Sequence, residues 1–155
     1  MRRNVKRAIA PLLLVVVTGV VRASGRPQKQ SWQADVQIRT LEVIKSRTSL
    51  SARVVIYTEN NDDARDARLL VLLPVAVGIE RLPPGCSATP GSSMVPSLRA
   101  TVVCDLGAIV DHGYRQVQLV TTLPPPGLPK RFGVFAYSST PDPIPGNNYA
   151  ERTIP

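Results

Sequence analysis

From Trp32 onward the chain alternates apolar and polar positions over short runs, and clusters of Pro, Gly, Asn and Asp separate the runs. A period of two with that punctuation predicts β-strands joined by turns. Val36 and Ile38 are apolar in one phase and Leu41 and Val43 in the other, so the first strand is expected to change face at a bulge near Thr40, as a strand divided between two sheets would. Leu50, Ala52, Val54 and Ile56 mark the inner face of a second strand, with Ser51, Arg53, Tyr57 and Glu59 outside. ENNDDA, Glu59 to Ala64, reads as a turn because Asn and Asp accept positive φ and bond their own backbone. Ala67 to Leu73 is apolar in both phases after Arg68, the mark of a strand central in its sheet, and Pro74 ends it.

A short run, Val77 to Leu82, is turned by Pro83, Pro84 and Gly85 into Cys86. The segment between Cys86 and Cys104 reads as a Ser/Pro/Gly loop followed by a strand with Ala100, Val102, Cys104 and Leu106 on one face. Asp111, His112 and Gly113 form a turn, after which Val117, Leu119, Thr121 and Leu123 alternate. Phe132 to Tyr137 is the next strand, TPDPIPGNN a rigid corner, and Tyr149 to Ile154 the last strand. Seven or eight strands and no helical period beyond the first residues predict an all-β, immunoglobulin-like antiparallel β-sandwich over residues 32–155.

The opening residues break this pattern. Arg2, Arg3, Lys6 and Arg7 precede an apolar run of 14 residues, Ala8 to Val21, with small residues after it. That is the layout of a secretory signal peptide, expected over residues 1–25, with cleavage after Ala23 or after Gly25. The run is shorter than the roughly 20 residues that cross a bilayer and contains Pro11, so no membrane span is expected once the leader is cut. Residues 26–31, RPQKQS, read as a flexible lead-in. Export implies a secreted, periplasmic or cell-surface location.

Export also changes the meaning of the charge. The formal net charge is +8, but five of the 19 basic residues lie in the leader, leaving 14 basic against 11 acidic residues, a balance of +3. Those 14 are scattered, with Lys130 and Arg131 the one adjacent pair, so no nucleic-acid partner is expected. Two cysteines in an exported chain predict a disulfide between Cys86 and Cys104; a metal pair or a nucleophile is the weaker alternative beside a single histidine.

Candidate chemistry is thin. The sequence holds no GxSxG elbow, HExxH pair, Walker loop or GxGxxG turn. His112 is expected to be a solvated turn residue whose neighbour Asp111 points away. Asp62, Asp63 and Asp66 crowd one loop that would hold a cation weakly, without the Asp-x-Asp-x-Asp-Gly spacing of a strong site. In the corner, Asp142, Asn147 and Asn148 offer oxygens with one carboxylate among them, so a structural role is expected, with Asn148 burying its amide against a neighbouring turn and pinning the final strand. The aromatic residues are spread over separate strands; the two Phe are expected in the core and Trp32 as a cap on one end of the sandwich.

Four strings resemble the bacterial extracellular family called the conserved repeat domain, or domain of unknown function eleven. They are YTENNDDARDARLLVLLP (Tyr57 to Pro74), GCSA (Gly85 to Ala88), VVCDLGAI (Val102 to Ile109) and STPDPIPGNNYA (Ser139 to Ala150). The family usually places Gly-Pro after its first Asn-Asn pair, whereas Asp62 follows Asn61 here. The resemblance implies an immunoglobulin-type sandwich on a secreted or surface protein and supplies no catalytic residues, cofactor or metal. With the export signal, it leads to an expected non-catalytic envelope module, acting in adhesion, spacing or scaffolding, whose partner is an envelope protein or glycan. The alternative is a small secreted effector or metal-dependent hydrolase working through the Asp62 to Asp66 loop.

Overall fold

The computed structural model describes residues 32–60, 62–89, 99–128 and 130–154; the leader and the lead-in at 26–31 lie outside the described residues. Nine strands occur among the described residues: β1 (Asp35–Lys45), β2 (Ser49–Glu59), β3 (Ala64–Leu72), β4 (Ile79–Arg81), β5 (Cys86–Thr89), β6 (Thr101–Ile109), β7 (Tyr114–Thr122), β8 (Arg131–Tyr137) and β9 (Tyr149–Thr153). They form a four-stranded sheet in the order β1-β2-β7-β4 and a five-stranded sheet in the order β5-β6-β3-β8-β9. Every pairing is antiparallel. The chain passes between the sheets five times, from β2 to β3, β3 to β4, β4 to β5, β6 to β7 and β7 to β8, and the inner strands of this immunoglobulin-like sandwich are β2 and β7 in one sheet and β6, β3 and β8 in the other. No helix among the described residues is long and apolar enough to cross a membrane.

The core follows the alternation. Leu50, Ala52, Val54 and Ile56 of β2 are fully buried, facing Leu69 and Val71 of β3 and Phe132, Val134 and Ala136 of β8 within one apolar cluster. Burying each Val, Leu or Ile contributes about 1.5 to 3 kcal/mol. β3 is central in its sheet, as two apolar phases require.

The bulge in the first strand lies between Ile38 and Thr40, where the β1–β2 register shifts. The strand is not divided between sheets, however: β1 pairs with β2 from Asp35 to Lys45. Its opening residues reach the other sheet by different means. Ala34 N–H donates to Pro141 O at 3.1 Å and Val36 N–H to Asp142 Oδ2 at 2.9 Å, so a corner takes the bonds a second strand would have taken.

β5 is the strand that the alternation did not announce. CSAT has no apolar period and its last three residues are exposed; it is a strand because its backbone pairs with β6 from Cys86↔Cys104 to Thr89↔Thr101. Ser87, Ala88 and Thr89, expected to open the Ser/Pro/Gly loop, are therefore strand. Cys86 and Cys104 are joined as a disulfide across this ladder.

The turn after Pro74 carries strain. Ala76 has φ 59°, a left-handed conformation that costs a residue with a Cβ roughly 1 to 2 kcal/mol. Glycine removes that cost and returns about 0.5 to 1 kcal/mol through its freedom in the unfolded chain. Ala76→Gly is therefore expected to stabilise the domain by roughly 0.5 kcal/mol, seen as a higher urea midpoint at unchanged slope. A lower midpoint would contradict this account of the turn.

Candidate functional site

β8 reads RFGVFAY, and a period of two sends Phe132, Val134 and Ala136 inward and Arg131, Gly133, Phe135 and Tyr137 outward. Phe132 is fully buried as expected, but Phe135 is 37% exposed, which removes it from the core. Tyr137 stacks on it, with ring centroids 5.9 Å apart and an interplanar angle of 22°. The β8–β9 register places Tyr149, itself 49% exposed, directly opposite Phe135. Tyr149 leans across Gly133, whose ideal Cβ position lies 3.5 Å from the phenol oxygen; a glycine here leaves its surface to the neighbouring ring. Three rings thus share the outer face of the five-stranded sheet, where water-facing positions are ordinarily polar. Leu70 and Arg68 of β3 lie opposite Phe135 and Tyr137 and border the rings.

Polar groups rim this face. Tyr149 Oη donates to Glu151 Oε2 at 2.7 Å, and Glu151 Oε1 pairs with Arg131 at 3.2 Å. The hydrogen bond to Glu151, and after it lost hydration, raises the phenol above its ordinary range, so Tyr149 stays a neutral donor at physiological pH.

At the end of the sandwich beyond Tyr137 lies a cleft of about 390 Å³ lined by Trp32, Asp62, Asp63, Arg65, Ser139 and Thr140. Trp32 does not cap the sandwich: it is 64% exposed and walls this cleft, with the Arg65 guanidinium 5.5 Å from its ring centroid. The three carboxylates of the loop are turned to separate tasks. Asp62 Oδ2 accepts from Gln33 N–H at 2.9 Å, Asp63 Oδ1 from Asp111 N–H at 3.0 Å, and Asp66 Oδ2 lies 2.9 Å from Ser139 Oγ. Among the described residues no three His, Cys, Asp or Glu side chains come together as a metal would need. His112 and Asp111 do not point apart: Nδ1 and Oδ2 are 2.7 Å from each other on the surface turn that His112 enters with φ 55°.

The proline-rich corner ties the first strand to the last. Asp142 accepts from Val36 N–H through Oδ2 and, at 2.7 Å, from Ile144 N–H through Oδ1. The side-chain bond expected of Asn148 is made by Asn147, whose Nδ2 donates to Asp35 Oδ1 at 2.8 Å. Asn148 is buried, but its Oδ1 has no protein partner; its backbone carbonyl accepts from Ala136 N–H at 2.9 Å and so begins the β8–β9 ladder. The neighbouring asparagines differ because Asn147 sits in the 3-10 turn Pro145–Asn147 and Asn148 follows it.

No protein-family model matches the chain, and no curated protein matches it. Among solved structures, the carbohydrate-binding module CBM3b of the cellulosomal cellobiohydrolase 9A from Clostridium thermocellum superposes with a TM-score of 0.42 at 14% identity, over 70% of this chain and 94% of that one. A GH20 exo-β-N-acetylglucosaminidase from Vibrio harveyi superposes with a TM-score of 0.35 at 7% identity, over 79% of this chain and 17% of that one.

Proposed function

We propose that the chain is an exported, non-catalytic envelope module of the conserved repeat kind that binds polysaccharide through the aromatic face of its five-stranded sheet. One observation carries this reading: Phe135, Tyr137 and Tyr149 lie together, partly exposed, on one surface. Flat rings offer the C–H faces of pyranoses an apolar stacking partner, while the Tyr149–Glu151–Arg131 rim offers donors and acceptors to hydroxyls. The metal-dependent hydrolase loses its support, since the Asp62, Asp63 and Asp66 carboxylates serve separate hydrogen bonds within the fold.

The test is retention of the purified domain on insoluble cellulose, chitin and peptidoglycan sacculi. Retention on at least one polymer is expected, falling about tenfold in affinity for Tyr137→Ala, the loss of roughly one stacking contact. Tyr137 is on the surface, so the variant keeps its fold. Retention on none of the three, or retention untouched by Tyr137→Ala and Phe135→Ala together, would overturn the reading.

A further inference from the structure

The strand that carries the rings also builds the cleft. Beyond Tyr137 the chain runs through Ser138 and Ser139 to Thr140, and a shallow depression lined by Asp66, Arg68, Tyr137, Ser138 and Ser139 fills the interval. It shares Tyr137 with the aromatic face and Ser139 with the Trp32 cleft. We infer that rings, depression and cleft form one track that holds an extended, uncharged polysaccharide chain of several sugar units, with Trp32 as its far stacking platform. This rests on the reading of the aromatic face given above.

Three properties favour that occupant. The first is length: from Phe135 to Tyr137 the strand advances about 7 Å at the usual rise, and the depression and the cleft extend the surface beyond it, more than one sugar ring can cover. The second is charge. Arg65 and Arg68 alternate with Asp62, Asp63 and Asp66 along the track, which gives a hydroxylated neutral polymer donors and acceptors and offers a polyanion no basic stripe. The third is rigidity. Ser139 N–H donates to Arg65 O at 2.9 Å, Thr140 Oγ1 to Asp63 O at 3.0 Å, and Arg65 N–H to Thr140 Oγ1 at 3.0 Å, so the cleft is set before any ligand arrives. The Arg65 guanidinium, 5.5 Å from the Trp32 ring centroid, adds a cation–π contact to the indole.

Calorimetric titration with cellobiose and cellohexaose, and with the chitin dimer and hexamer, separates the track from the face. The expected result is about tenfold tighter binding of a hexamer than of its dimer. Trp32→Ala is expected to remove most of that gain and leave dimer affinity unchanged, while Trp32→Tyr, which keeps a ring, retains it. Tyr137→Ala weakens both oligomers. A hexamer affinity unaltered by Trp32→Ala would overturn the track and leave the aromatic face standing. Failure of every oligomer to bind would overturn the track and leave the face to the polymer retention test, while indifference of both lengths to Tyr137→Ala would overturn the face and the track with it.

Discussion

Phe132→Ala is expected to destabilise the domain by about 3 to 5 kcal/mol, the range for emptying a fully buried aromatic site. Among the described residues Phe132 is the largest side chain without accessible surface, on a strand paired on both sides, so the sheets cannot close the void without breaking ladder bonds. Against a total stability of roughly 5 to 15 kcal/mol for a small domain, the loss leaves little margin. Urea unfolding followed by circular dichroism measures it, with Phe135→Ala as the comparison. That residue lies three positions on and faces outward, and its truncation is expected to cost about 1 kcal/mol or less. Equal costs at the two positions would refute the assignment of inner and outer faces on β8.

The contrast between these two phenylalanines also marks how far the sequence could be read. Alternation sufficed for β2, β6 and β7, where Leu50, Ala52, Val54 and Ile56, then Val102 and Cys104, then Val117, Leu119 and Thr121 are buried at every second position; β3 was legible from its two apolar phases, and on β8 the expectation of both Phe in the core held only for Phe132. It failed for β5, whose four residues owe their strand conformation to the partner β6 and to no pattern of their own. The aromatic face ran against expectation: Phe135 and Tyr137 are two apart on one strand and must share a side, which is at odds with both Phe lying in the core. Tyr149 joins them only through the β8–β9 register, which depends on how many residues the 138–148 corner consumes, and no local pattern encodes that number. The role of Trp32 was hidden for a similar reason, since Arg65 and Ser139 reach it from distant parts of the chain. At the corner the residue types pointed to structure, but which of two adjacent asparagines would reach Asp35 depended on the 3-10 turn.

Loss of the disulfide, by reduction or in a Cys86→Ala/Cys104→Ala variant, is expected to lower stability by about 3 kcal/mol. Its ends are 18 residues apart, and a closed loop of that size removes roughly this much entropy from the unfolded chain. The loss should be felt throughout the domain and most strongly on β5. Among the described residues β5 is an exposed edge strand with one neighbour, whereas β6 is held on its other side by β3. Amide exchange should therefore quicken more on Ser87 to Thr89, which also open locally, than on the β3–β6 ladder, which exchanges only with global unfolding. Two thiols reactive in the unreduced, unfolded protein would show the bond is not formed, and a loss of protection no greater on β5 than on β3 would show that β5 is integral to the sandwich.

The latch between Val36 and Asp142 joins groups 106 residues apart, which gives the domain an order of completion. At a synthesis rate of about 5 to 20 residues per second, the amide is made roughly 5 to 20 s before the carboxylate that will hold it. In that interval β1 has β2 as a neighbour but nothing to fasten its first residues. The start of the domain is thus secured by nearly its last segment. A chain cut short before Asp142 would leave the Val36 amide without its acceptor and the amino-terminal end of β1 unfastened, open to any protease that meets it.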